Sequence, residues 1–185
     1  AGGKGERMLP ITEFIPQALV PVLGVPMLKL QIDQLERLGI QNIIILTGHL
    51  GEVIQQYISK QSYKIEIKCI HSDPNFEPGE RLARYLHILP KEFLLLYCDN
   101  FIPDDEIILR QINSDSDLSM ILQLRESGNI RIIDNFACVY IEKNRDSKSP
   151  YVELGYLSIK SELFKKILKQ TLDLNLSFKI YSEQN

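Results

Sequence analysis

Residues able to do chemistry crowd the start of the chain, which reads Ala1-Gly2-Gly3-Lys4-Gly5-Glu6-Arg7. Glycines at positions 2, 3 and 5 let backbone N–H groups converge on an anion at close range, and Lys4 and Arg7 add positive charge to the same turn. Phosphate binding is the chemistry such a loop offers; a plain flexible turn after a strand is the competing reading. It is not a Walker loop, which needs Gly-Lys-Ser/Thr. Met8 stands where a dinucleotide fingerprint would carry its third glycine, and the second strand ends at Thr47 rather than at an acidic residue. A second chemical group is Asp99, just beyond the apolar run Phe93-Leu94-Leu95-Leu96-Tyr97. The carboxyl end of a strand is where open α/β sheets gather ligands. His49 and His71 have no partner at metal-ligand spacing and read as structural.

The elements that must position these residues follow from apolar spacing. Leu28, Ile32 and Leu35 lie on one helical face between Pro26 and Leu38, and Gly39 supplies the stop. Ile43-Ile44-Ile45-Leu46 predicts a buried strand, and Leu50, Val53, Ile54 and Tyr57 a second amphipathic helix. Alternation from Lys64 to Ile70 predicts a half-exposed strand. A helix over 80–89 and a strand over 93–97 continue the alternation, which is the pattern of a parallel sheet covered by helices. The second half reads as a helix near 103–112, in which Asp104 and Asp105 serve as caps, and then as antiparallel strands around 120–124, 129–142 and 152–159. Ser161 caps a last helix carrying Leu163, Phe164, Ile167 and Leu168. No element is assigned over 175–185.

Composition narrows the class. Hydrophobic residues make up 44% and charged residues 24% of 185 residues, ordinary values for one globular domain. No apolar run approaches the ~18 residues of a membrane span. A net charge of -3 argues against general nucleic-acid binding. Cys69, Cys98 and Cys138 are odd in number and far apart, so neither a disulfide framework nor a zinc site is indicated. With no secretory signal at the amino end, a cytoplasmic location is the default expectation. The opening glycine turn, which normally follows a strand, gives the sequence the look of an excerpt.

The continuation of the loop makes it specific. It runs through Pro10-Ile11-Thr12, then Pro16-Gln17-Ala18-Leu19-Val20-Pro21-Val22, then Gly24-Val25-Pro26-Met27-Leu28. This run resembles the amino-terminal signature of the sugar-1-phosphate nucleotidyltransferases, or sugar-nucleotide pyrophosphorylases. The resemblance extends through 35–52, the strand ending in Tyr97-Cys98-Asp99-Asn100, the pair Glu142-Lys143 and the strand Glu153-Leu154-Gly155-Tyr156. Within the family it is nearest to guanylyl- or related transferases acting on mannose- or heptose-1-phosphate.

The resemblance implies a three-layer α/β sandwich with a mixed, mainly parallel sheet, the Rossmann-like nucleotidyltransferase fold, lacking the family's first strand and carboxyl-terminal segment. It implies one domain over 1–185, binding nucleotide through about 1–110 and sugar through about 111–185. The implied reaction joins an NTP to a sugar-1-phosphate with release of pyrophosphate, for polysaccharide or glycoconjugate synthesis, and a homo-oligomer is left open. Ala1, Gly2, Gly3, Gly5, Arg7, Gln17 and Gly79 would meet the nucleotide. Arg7 would hold the triphosphate, unless it simply pairs with Glu6 or Glu13, and Asp99 would bind Mg²⁺. Glu142, Lys143, Glu153 and Gly155 would meet the sugar phosphate, against the plainer reading of solvated strand positions. Alternation would send Glu153 and Gly155 to one face.

The chain also departs from the family. Gln17 replaces a phosphate-binding lysine, Glu6 sits where a small residue is usual, and Arg81 and Leu82 occupy glycine-sized positions beside the base. A diverged, non-catalytic homologue that binds sugar phosphate or regulates a partner is therefore the alternative.

Overall fold

The computed structural model describes residues 1–133, 137–140 and 147–184, with residues 137–140 described by their backbone alone. The chain packs as two compact units, one of residues 1–77 and 97–109, the other of residues 78–96 and 110–185.

The first unit opens with three single 3₁₀ turns, Glu6–Met8, Ile11–Glu13 and Gln17–Leu19. A short hairpin follows, β1 (Pro21–Val22) against β2 (Val25–Pro26). Its two-residue loop has φ 51 at Leu23 and φ 80 at Gly24, the positive angles that a primed hairpin turn requires. Helix α1 (Met27–Arg37) buries Leu28, Ile32 and Leu35 as its spacing predicts. It ends where expected: Ile40 N–H donates to Leu35 O and Gly39 N–H to Glu36 O, with Gly39 at φ 83, a Schellman stop. Strand β3 (Asn42–Thr47), helix α2 (Gly51–Ser59) and strand β4 (Glu66–His71) form a β-α-β unit whose strands pair in parallel, Asn42 beside Glu66 through Thr47 beside His71. Ala18, Leu19, Leu28, Ile32, Ile45, Ile54 and Ile65 make one core, and Ala1 and Cys98 pack against it.

Helix α1 also buries two polar residues that an apolar pattern does not anticipate. Gln31 Nε2 donates to the carbonyls of Tyr97 (2.7 Å) and Asn100 (2.8 Å). Gln34 Nε2 donates to Ile102 O (2.8 Å) and to Asp105 Oδ1 (3.0 Å). A buried carbonyl without a donor is costly, so these amides fasten the segment carrying Asp99 onto the helix.

In the second unit α3 (Pro78–Tyr85) precedes β5 (Phe93–Leu96). The sheet is built on β9 (Tyr151–Ile159), which runs antiparallel to β5, to β6 (Leu118–Leu124) and to β7 (Ile130–Ile133); β8 (Ala137–Tyr140) pairs with β7. Parallel pairing among the described residues is thus confined to β3 and β4, and the expected parallel predominance is not seen. Alternation suggested that β5 follows its predecessors in parallel, but its partner is β9, a strand from the far end of the chain.

Helix α4 (Asp105–Ile112) starts under the Asp104 cap, which accepts from Glu106 N–H (2.9 Å). Asp105 instead pairs with Arg37, Oδ2 to Nε at 2.7 Å. Ser161 caps α5 (Glu162–Thr171), its hydroxyl oxygen accepting from Phe164 N–H (3.1 Å). The stretch left without an element is helix α6 (Leu174–Gln184). It is held by tertiary contact: Phe178 stacks on the fully buried Phe164 at 5.0 Å and Tyr181 meets the same ring edge-on at 6.0 Å. No helix of the described residues is long and apolar enough to cross a membrane.

Candidate functional site

A cleft of about 610 Å³ in the first unit is lined by Gly5, Glu6, Arg7, Met8, Gln17, Glu77 and Asp99. Residues 92 positions apart in sequence therefore face one space. Gly5 enters the turn Glu6–Met8 at φ 63, a left-handed angle that glycine tolerates, and a Cβ there would come within 2.9 Å of the Thr12 methyl carbon. The turn is closed by Met8 N–H on Gly5 O at 2.9 Å.

Asp99 is carried just past β5 by the segment that Gln31 holds from both sides, and its side chain is 37% exposed. Gln17 Nε2 donates to Asp99 Oδ2 at 3.2 Å, and Arg7 Nη2 stands 4.0 Å from the same oxygen. The Arg7 side chain is 92% exposed, so this pairing contributes little to stability and leaves the guanidinium free to meet a ligand.

Among the described residues no three His, Cys, Asp or Glu side chains gather to hold a metal ion by themselves. Asp99 offers one carboxylate. Both of its contacts fall on Oδ2, and no donor among the described residues reaches Oδ1. Such a set suits Mg²⁺, which commonly binds through one or two carboxylates, waters and substrate phosphates rather than in an all-protein cage.

The remaining predicted residues are distributed differently. Ala1, Gly2 and Gly3 are not in the lining: Ala1 packs on the core, Gly2 is buried, and Gly3 is exposed. Gly79 lies in the second unit, in the first turn of α3, where a Cβ would run into the backbone N of Leu174 and lie 2.8 Å from Leu172 O. That packing accounts for a glycine without any ligand. Arg81 and Leu82 are buried in the same helix. Glu153 turns its carboxylate onto the N–H of Gly155 in its own strand. Gly155 has φ 74, and the β6 pairing shifts register between Met120 and Leu122, so period-two alternation does not carry through this part of β9. Glu142 and Lys143 lie outside the described residues.

Two contributors were not singled out in the sequence. Glu77 lines the cleft, and no local pattern marked it. Gln31 braces the Asp99 segment; an amide on the otherwise apolar stripe of Leu28, Ile32 and Leu35 was the available signal. A second, smaller hollow of about 310 Å³ is lined by Thr47, Gly51, Glu52, Gln55, Cys69 and His71, and burial pushes the Cys69 thiol pKa up.

The nucleotidyl transferase family model matches residues 1–122 of the chain. Among curated relatives, the UTP–glucose-1-phosphate uridylyltransferase AglF of Haloferax volcanii is 26% identical over 125 residues, covering 66% of this chain and 51% of that protein. The chain spans about half, or less, of the length of the curated relatives it matches. Of solved structures, apo UDP-glucose pyrophosphorylase matches with a TM-score of 0.79 at 15% identity, over 100% of this chain and 85% of that one. HddC from Yersinia pseudotuberculosis, complexed with GMP-PN, matches with a TM-score of 0.70 at 21% identity, over 91% of this chain and 76% of that one. The shared architecture is the mixed α/β nucleotidyltransferase fold.

Proposed function

Because the chain belongs to the nucleotidyl transferase family, we propose that it takes part in transfer of a nucleotidyl group from an NTP to a sugar-1-phosphate, releasing pyrophosphate. The observation that carries this reading is the shared cleft: the loop from Gly5 to Met8 and the Asp99 carboxylate line one space. In such a transfer a sugar-phosphate oxygen attacks the α-phosphorus and the P–O bond to pyrophosphate breaks, so no protein nucleophile is needed. The protein's work is positioning and neutralising charge. Arg7 would neutralise oxygens of the triphosphate and the departing pyrophosphate. Gln17 would donate a hydrogen bond where the family pattern has a cation. Bound at Asp99, Mg²⁺ would supply charge neutralisation on the phosphate oxygens. The product, an NDP-sugar, would feed synthesis of a polysaccharide or glycoconjugate; guanylyl transfer to mannose- or heptose-1-phosphate is the finer expectation.

A specific observation favours a second reading. The cleft sets three carboxylates, Glu6, Glu77 and Asp99, against one guanidinium, Arg7, and Gln17 brings no charge. A polyphosphate would meet net negative charge there without a divalent ion, as expected of a diverged homologue that binds sugar phosphate without turnover. Pyrophosphate release, assayed with each of four NTPs and several sugar-1-phosphates, separates the two. Turnover that needs Mg²⁺ and disappears in Asp99→Ala supports the enzyme. Binding of a sugar phosphate with no turnover for any pair supports the diverged homologue, and activity gained by Gln17→Lys would then identify the missing cation as the cause.

A further inference from the structure

Two hydrogen bonds tie the opening loop to two residues that do not line the cleft, and a third joins those two residues to each other. His49 N–H donates to Gly2 O at 3.1 Å. The His49 ring donates from Nε2 to Thr12 O at 3.0 Å, since a carbonyl only accepts. The Thr12 hydroxyl donates to Gly5 O at 2.9 Å. Thr12 is fully buried, and its methyl carbon occupies the space into which a Cβ on residue 5 would project. His49 in turn follows β3, whose last residue, Thr47, is buried and accepts through its carbonyl from Ser72 N–H (3.1 Å) and Ser72 Oγ (2.7 Å). The loop is thus gripped at both ends of its glycine run from a rigid strand terminus.

A run with three glycines loses much conformational freedom when ordered. If that ordering happened only on ligand binding, it would subtract directly from affinity. We infer that His49 and Thr12 are positioning residues that preset the Gly2–Arg7 loop for a polyphosphate, shifting the ordering cost from binding to folding. The inference rests on the reading of the cleft as a polyphosphate site. Neither side chain lines the cleft: the Thr12 hydroxyl acts on the loop carbonyl of Gly5, and the His49 ring acts one step behind it, through Thr12 O.

The test uses the full chain, with inorganic pyrophosphate in the presence of Mg²⁺ as the probe and His49→Leu and Thr12→Val as variants. Amide exchange is read at Met8, whose N–H is bonded to Gly5 O, and at Ile45 in β3 as a reference for global stability. Calorimetry gives the pyrophosphate Kd. Loss of one net hydrogen bond in either variant is expected to accelerate Met8 exchange and weaken pyrophosphate binding by about fivefold, with Ile45 unchanged. His49→Gln and Thr12→Ser, which keep a donor at each place, should restore both readings and guard against variants that fail to fold. Unchanged Met8 exchange in both removal variants overturns the clamp, and faster exchange with an unchanged Kd overturns its link to phosphate. If the wild-type chain binds no pyrophosphate while Met8 still exchanges faster in the variants, the clamp stands and the polyphosphate reading of the cleft fails.

Discussion

The two units are held by different means. In the first, the functional segments are fixed by directed polar contacts: Gln31 on the carbonyls flanking Asp99, Thr12 on Gly5 O, His49 on Gly2 O and Thr12 O. In the second, Tyr156, Leu157 and Ile159 of β9 and the Phe164–Phe178 stack are buried without reference to any reacting group. Apolar burial is strong and undirected; a hydrogen bond contributes about 1 kcal/mol net but fixes a position. The segments that carry the cleft are therefore placed by direction, whereas β9 and the α5–α6 pair are secured by burial. Substitutions should separate the two.

The largest effect is expected in the second unit. Phe164→Ala leaves Phe178 and Tyr181 without their partner ring and should cost about 3–5 kcal/mol of unfolding free energy in urea denaturation; a loss below about 1 kcal/mol would remove the contrast between the units. Gln31→Leu comes next, at about 1–3 kcal/mol, because two carbonyls lose their donor. Its signature should be faster amide exchange around residues 97–100, with α2 unaffected.

A pH effect sharpens the polar side of the comparison. Hydrogen bonds from Arg37 first, and then from Gln34, hold the Asp105 carboxyl pKa down to about 2. A depressed folded pKa means that the stabilisation is fully present above the unfolded value of about 3.9 and is lost as pH falls through the folded one. The gap in urea midpoint between wild type and Asp105→Asn should therefore be constant at neutral pH and close between about pH 4 and pH 2. A gap that persists unchanged at pH 2 would show that the pair does not act through charge.

The smallest effect concerns the hairpin tip. Leu23 is 100% exposed with φ 51, a left-handed angle disfavoured for a leucine. Leu23→Asn should stabilise the protein by about 0.5–1 kcal/mol in thermal unfolding, since asparagine tolerates that angle. No gain, or a loss, would indicate that the leucine is covered in the working protein.

Much of the secondary structure was legible in the residues. The spacing of Leu28, Ile32 and Leu35 and the Gly39 stop specified α1, the apolar run 43–46 specified β3, and Ser161 marked the start of α5. Each is a local signal, acting within one or two turns of chain. Helix α6 escaped because its support is the ring of Phe164, ten or more residues away, and the antiparallel pairing of β5 escaped because its partner β9 begins more than fifty residues later.

The same division runs through the site. By residue type and order alone, the sequence established a glycine loop with Arg7, a strand-end Asp99 and membership-level resemblance to nucleotidyl transferases. Tertiary structure decided that Arg7 and Asp99 face one cleft, that Gln17 bonds Asp99, that Glu77 joins them, and that His49 and Thr12 hold the loop from behind. Backbone propensity and apolar periodicity are encoded between near neighbours, whereas a hydrogen bond across 37 or 82 positions exists only once packing has brought its donor and acceptor together.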